Sequence, residues 1–216
     1  MSIPATSPSW RRWWAAPWRR WLLFHLADAH FSFMYDEPPA DEWVAIDCET
    51  TGLDPNRDEI IAIGAVRIVG NRLLTSQRLA LIVRPERAMA QASMRVHRLR
   101  ERDVAGGLPP EQAMRQLLEF IGSRPLVGYY LEFDVAMINR AIRPMLGVGL
   151  PQRKIDISAL YYDMKNRKLQ AHLRNQTIDL RFETIMRELE LPGRDAHDAL
   201  NDAVMAGLAF LKLRRS

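Results

Sequence analysis

The sequence has one cysteine, Cys48, in 216 residues. That excludes an intrachain disulfide and any multi-cysteine metal site. Cys48 lies inside an apolar, strand-like run, which suits a small buried residue better than a nucleophile. No apolar run approaches the ~20 residues of a membrane-spanning helix. The longest near the start, Trp21 to Ala27, follows Arg19-Arg20 and loosely imitates an export signal, but it is short and contains His25. The expectation is a cytoplasmic chain. Internal repeats are missing, and neither sign of charge dominates: 30 Lys and Arg face 26 Asp and Glu, a net +4 with a pI near 9.5. This mild basicity is compatible with a polyanionic partner without identifying one. At 48% hydrophobic and 26% charged, the chain has the composition of a folded globule.

Tryptophan is nearly confined to the N-terminus. Trp10, Trp13, Trp14, Trp18 and Trp21 are five of the six, interleaved with Arg11, Arg12, Arg19 and Arg20. At ~100° per residue the tryptophans share one arc, and Pro17 interrupts a single continuous helix. Residues 1–42 therefore form a Trp/Arg-rich helical extension and linker, and residues 43–216 the main domain. The extension has three readings: a layer packed on the domain, a segment at a membrane surface, or a grip on a protein or nucleic acid. Leu22, Leu23 and Leu26 favour docking for Arg19 to Tyr35, leaving the first eighteen residues accessory.

From Trp43 the pattern predicts strands over 43–49, 59–69 and 72–83, with Gly70-Asn71 as a hairpin turn. A basic loop follows to Arg102. Helices are predicted over 109–121, 132–145, 181–191 and 198–214, and a helical region runs from the strand at 155–157 to about Leu173. Leu126–Tyr130 is a further short strand. A meander followed by alternating helices and strands indicates an α/β fold with a mixed sheet.

In Val44–Gly52, "VAIDCETTG", an apolar strand ends in two carboxylates two residues apart, so Asp47 and Glu49 share a face. Two adjacent anions require a positive partner, and a metal ion is the first candidate. Asp134 sits at a strand-to-helix junction, where α/β sites form. Asp202 lies at the edge of the apolar stripe Ala199, Ala203, Ala206, Phe210 and Leu213, with His197 just ahead of that helix. Taken singly, each of these is more often a cap, turn or solvated residue. Asp36, Asp41, Asp54 and Asp58 suit linkers and turns, and Asp195 and Asp198 a helix start. Asp156 supports the site or simply ends a strand. Spacing alone does not join these segments.

"DCETTG" matches the D-x-E-T-T-G first motif of the DnaQ-like, DEDDh-type 3′–5′ exonucleases. "EFD", with Phe133 and Asp134, resembles their second motif, and "HDALNDA", a histidine five residues before an aspartate, their third. "MRVHRLRERDV" is similar to their His-containing segment between the first two. The resemblance spans about residues 43–213 and lies nearest to exonucleases akin to the epsilon subunit of bacterial DNA polymerase III. It implies a ribonuclease H-like mixed five-stranded sheet flanked by helices. It implies that Asp47, Glu49, Asp134 and Asp202 hold two divalent cations, Mg²⁺ or Mn²⁺, with Asp47 bridging and His197 as general base. It also implies that Thr50, Thr51, Gly52, Leu53, His97, Tyr130 and Phe133 line the substrate site. Read alone, Gly52 is a turn residue and His97 a surface residue of a basic loop.

The chemistry is consistent. Two cations ~3.5–4 Å apart clamp the attacking and leaving oxygens of a phosphodiester, oxygen ligands favour magnesium or manganese, and a histidine titrating near neutrality accepts the water's proton. The sequence departs from the family where many members carry His-Asn before the second motif; here stand Tyr129-Tyr130, which puts substrate preference in question. Two basic groups, Arg84 to Arg102 and Lys165 to Arg174, suit phosphate tracking or a solvated face. Three functions stand: a 3′–5′ exonuclease on single-stranded or frayed DNA, possible as a proofreader beside a DNA polymerase; an RNA-trimming enzyme; and a non-catalytic nucleic-acid-binding or polymerase-tethering module.

Overall fold

A computed structural model describes residues 17–87, 101–168, 177–192 and 198–215. Strands β1 (Glu42–Thr50), β2 (Ile60–Val69) and β3 (Arg72–Ile82) form an antiparallel meander. Strands β4 (Leu126–Gly128) and β5 (Lys154–Asp156) add in parallel on the other side of β1, giving the order β3-β2-β1-β4-β5. This is the mixed five-stranded α/β sheet expected. Its central strand is covered on both faces, which is why Val44-Ala45-Ile46 is apolar without alternation.

The helices are α1 (Pro17–His25), α2 (Glu101–Ala105), α3 (Pro110–Ile121), α4 (Leu131–Leu146), α5 (Ile157–Lys168), α6 (Phe182–Glu188) and α7 (Ala199–Leu213). Val44, Ile46 and Cys48 of β1 join the core with Met114, Leu117 and Leu118 of α3 and Ile138 and Ile142 of α4. Ala45 joins the opposite core with Tyr161 of α5, Ile185 of α6 and Ala206 and Phe210 of α7. By strand alternation, the carboxylates at 47 and 49 belong to the α7 face.

A 3₁₀ segment, Ala29–Tyr35, buries Phe31, Met34 and Tyr35 in the first core, and Leu22, Leu23 and Leu26 pack half-buried against it. The Ala27 amide donates to the Leu146 carbonyl at 2.9 Å. Trp10, Trp13 and Trp14 lie outside the described residues. No helix among the described residues is long and apolar enough to cross a membrane.

Several element ends differ from expectation; the helix expected over 181–191 runs only Phe182–Glu188. Strand β4 stops at Gly128 because Tyr130 takes a left-handed conformation (φ 47°) and turns the chain into α4. Strand β5 stops at Asp156 because that side chain caps the first turn of α5: its Oδ1 accepts from the Ser158 amide at 2.8 Å and the Ser158 hydroxyl at 2.6 Å. Of the basic loop, Arg84 and Arg87 are described; Arg95, Arg98 and Arg100, like Arg174, lie outside the described residues.

Candidate active site

Three segments converge at the C-terminal end of β1. Asp47 and Glu49 project from the strand, and Asp202 comes from the first turn of α7. One carboxylate oxygen from each lies within 4.8 Å of the other two. Glu49 is buried, and Asp47 and Asp202 are half-buried. Asp134, also buried, stands beside this triad at the start of α4, and its Oδ1 accepts from the Cys48 amide at 3.0 Å. That bond ties the second motif to the strand carrying the first.

Burial pushes the Asp47 carboxyl well above its ordinary value, and Asp134, Asp202, Glu49 and Asp198 push it further in the same direction. Burial also raises Asp134, to about 7, against the pull of the Cys48 amide. Such a set is poorly accommodated as bare anions. Hard oxygen donors crowded to this spacing fit a divalent cation.

Asp202 reaches the triad because α7 lies unusually close to the sheet. Gly64 of β2 pairs with Asp47, and a Cβ at Gly64 would overlap the backbone of Ala199 and Leu200. Asp198 caps the helix, accepting from the Asn201 amide at 2.9 Å, as its place before the helix predicts. The side chain of Asp156 sets the other helix: its Oδ2 accepts from the Leu131 amide at 3.0 Å, holding the first turn of α4 and therefore Asp134. Asp156 thus supports the site as well as ending its strand. The Asp-x-Ser spacing before a helix was the available signal for its capping role.

The turn after β1 is braced from within. The Thr51 hydroxyl donates to Asp58 at 3.0 Å and accepts from the Glu59 amide at 2.9 Å, and Thr50 donates to the Gly52 carbonyl at 2.6 Å. Arg140 of α4 donates to the Asp58 carbonyl at 2.6 Å. Asp58 is therefore a turn residue, as expected. Leu53 is left 85% exposed at the tip. Tyr130, just before α4, is 52% exposed and packs against Tyr129 at a 49° tilt, with ring centroids 4.5 Å apart. Tyr129 in turn packs against Phe182 at a 43° tilt, centroids 4.9 Å apart, and its hydroxyl donates to the Leu180 carbonyl at 3.0 Å. Phe133 packs half-buried on the α4-side core. His197 and His97 lie outside the described residues. Lys165 is held by Glu188 at 2.7 Å, which gives it a structural partner on the far helices.

A family profile described as Exonuclease (RNase T) matches residues 44–210. The chain belongs to the exonuclease family. Within it, the chain is 28% identical over 170 residues to the Thermotoga maritima DNA polymerase III of PolC type, covering 79% of this chain but only 12% of that much longer protein. It is 24% identical over 171 residues to the Aquifex aeolicus DNA polymerase III subunit epsilon, covering 79% of each. Among solved exonucleases, Exonuclease X in complex with 5′-overhanging duplex DNA superposes with a TM-score of 0.59 at 22% identity, covering 80% of this chain and 91% of that one. The zinc-bound E. coli ExoI–ssDNA complex gives 0.67 at 14% identity over 82% of this chain and 41% of that one. The fold is the ribonuclease H-like exonuclease fold, and the acidic cluster is in keeping with the divalent-metal use that the family implies.

Proposed function

We propose that this exonuclease domain hydrolyses phosphodiester bonds at the 3′ end of single-stranded or frayed DNA, releasing nucleoside 5′-monophosphates. The observation that carries the reading is the convergence of Asp47, Glu49 and Asp202 within 4.8 Å, with Asp134 buried beside them. Asp47, Glu49 and Asp202 would hold divalent cations, Mg²⁺ or Mn²⁺, with Asp134 alongside. Bound there, the metals would lower the pKa of water and relieve charge on the phosphoryl group. The chain's own residues do the rest. His197, five positions before Asp202, takes the proton of the attacking water. The braced turn Thr50-Thr51-Gly52 presents Leu53 to the terminal base. Tyr130 and Phe133 flank the opposite side, and His97 contacts the terminal nucleotide. Tyr129-Tyr130 offers stacking faces, which every base satisfies.

The DNA preference rests on the similarity to polymerase III subunits. The same similarity supports a role beside a DNA polymerase. Digestion of end-labelled single-stranded DNA, frayed duplex DNA and RNA with Mg²⁺ or Mn²⁺ tests it. Stepwise shortening of DNA from the 3′ end is expected. Preferential degradation of RNA would replace this reading with RNA trimming, and no metal-dependent cleavage of any substrate would leave a binding module.

A further inference from the structure

Leu53 protrudes from the turn after β1, so its position depends on how firmly that turn is held. The turn fixes its own shape. The Asp58 carboxylate accepts from the Thr51 hydroxyl at 3.0 Å and from the Asp54 amide at 2.9 Å. A Cβ at Gly52 would fall 2.5 Å from that carboxylate, so glycine lets the loop close around it. The Thr51 amide donates to the Glu59 carbonyl at 2.8 Å, and the Asp58 amide to the Asp54 carbonyl at 2.8 Å. All these bonds lie within residues 51–59. They set the form of the turn and leave its tilt to contacts with other elements.

Those contacts come from two sides. Beyond the end of β3, the Glu86 amide donates to Glu59 Oε2 at 2.7 Å. From α4, Arg140 directs one terminal nitrogen, Nη1, at two carbonyls of the turn: Asp58 at 2.6 Å and Pro55 at 3.2 Å. Among the described residues, no other hydrogen bond joins residues 51–58 to α4. Cavities of about 330 and 700 Å³ open beside this tie, and Arg140 lines both. The turn therefore leans on hydrogen bonds here more than on close packing. Both bonds come from a charged donor, which makes them stronger than bonds between neutral groups.

The helix that supplies this tie also carries Asp134. Arg140 follows it by six residues, about 9 Å along the axis. Asp134 has its own anchor in the Cys48 amide, and the first turn of α4 has one in Asp156. Loss of Arg140 would thus leave the carboxylates in place and release the turn. We propose that Arg140 is a positioning residue for the 3′-terminal nucleotide. It ties the Leu53 turn to α4 and so sets where the terminal base rests relative to the metal-binding carboxylates. This inference rests on the exonuclease reading of the site.

The test compares Arg140→Met, which keeps an unbranched stem, Arg140→Lys, which keeps a charged donor, Leu53→Ala, and Arg140→Met/Leu53→Ala. Each full-length chain is assayed on short single-stranded DNA with Mn²⁺. Arg140→Met should raise KM by about 10-fold or more, the loss expected for a hydrogen bond from a charged donor. Its kcat and Mn²⁺ affinity should stay within about twofold of wild type, since the carboxylates keep their anchors. Arg140→Lys should recover most of the KM. In the Leu53→Ala background, Arg140→Met should add little, because the side chain it positions is already gone; a merely structural loss would multiply the two effects. Trypsin cleavage after the exposed Arg57, at a temperature well below melting, should be faster in Arg140→Met and reads the turn independently of activity. The inference is overturned if Arg140→Met keeps the wild-type KM, if its effect multiplies with that of Leu53→Ala, or if cleavage after Arg57 is not accelerated. A wild-type chain that shortens no DNA overturns the exonuclease reading itself, and this inference with it.

Discussion

Gly64 of β2 lies against the peptide joining Ala199 to Leu200, at the first turn of α7, and no side chain fits between them. Because Gly64 is also the cross-strand neighbour of Asp47, this contact sets how far Asp202 stands from the first carboxylate. Gly207, farther along α7, faces side chains rather than backbone: an added Cβ would lie 2.5 Å from Leu73 Cδ1 and 3.3 Å from the Ala45 methyl. Gly64→Ala should push the start of α7 off the sheet, costing about 1–3 kcal/mol and weakening metal binding. Thermal melting and Mn²⁺ titration would show both. A variant with wild-type metal affinity would mean that helix placement does not govern the cluster.

Asp47→Ala should abolish nuclease activity and leave the domain folded. Without metal its melting temperature should equal or exceed that of the wild type, because one of several crowded, mutually repelling carboxylates is gone. Metal-dependent activity at wild-type rates in this variant would falsify the assignment of Asp47 as a ligand.

The raised carboxyl of Asp134 predicts a pH dependence for the metal-free chain. Its pKa is about 7 when folded, against an ordinary 3.8, so the folded state binds this proton more tightly than the unfolded state. The resulting stabilisation is full below about pH 4 and is lost as pH rises through about 7. Melting temperature without metal should therefore fall between about pH 4 and pH 7, and Asp134→Asn should flatten the decline. Added Mg²⁺ should raise melting temperature more at the higher pH. An equal Mg²⁺ effect at both would contradict proton–metal competition.

His197→Ala is expected to lower turnover by about 10²–10⁴-fold, the usual contribution of a general base, with metal affinity nearly unchanged. The acidic limb of the pH–rate profile should change shape. If metal binding is lost and turnover at saturating metal is kept, the histidine is a ligand instead.

Removing residues 1–18 should leave turnover on a short oligonucleotide almost intact. Removing 1–42 should cost stability or solubility, because Phe31, Met34 and Tyr35 are fully buried in the core shared with α3 and α4. Urea melts of the two truncations against the full chain decide this; unfolding by the shorter truncation would rule out a division at Arg19.

Alternation along Val44–Thr50 determined by itself that Asp47 and Glu49 face together, since the strand period is two wherever the strand packs. The stripe of Ala199, Ala203, Ala206 and Phe210 likewise marked buried positions of α7, although Val204 and Met205 off that stripe are buried too, and the three motifs in order indicated the family. These are local properties, carried by residues a few positions apart. Only the tertiary structure decided that Asp202 comes within 4.8 Å of the strand pair, because the approach depends on Gly64, more than a hundred residues away in sequence. It alone made Asp156 a cap for two helices and tied Asp134 to the Cys48 amide. Contacts between distant segments are formed by packing, and packing leaves no periodic trace in any one of them.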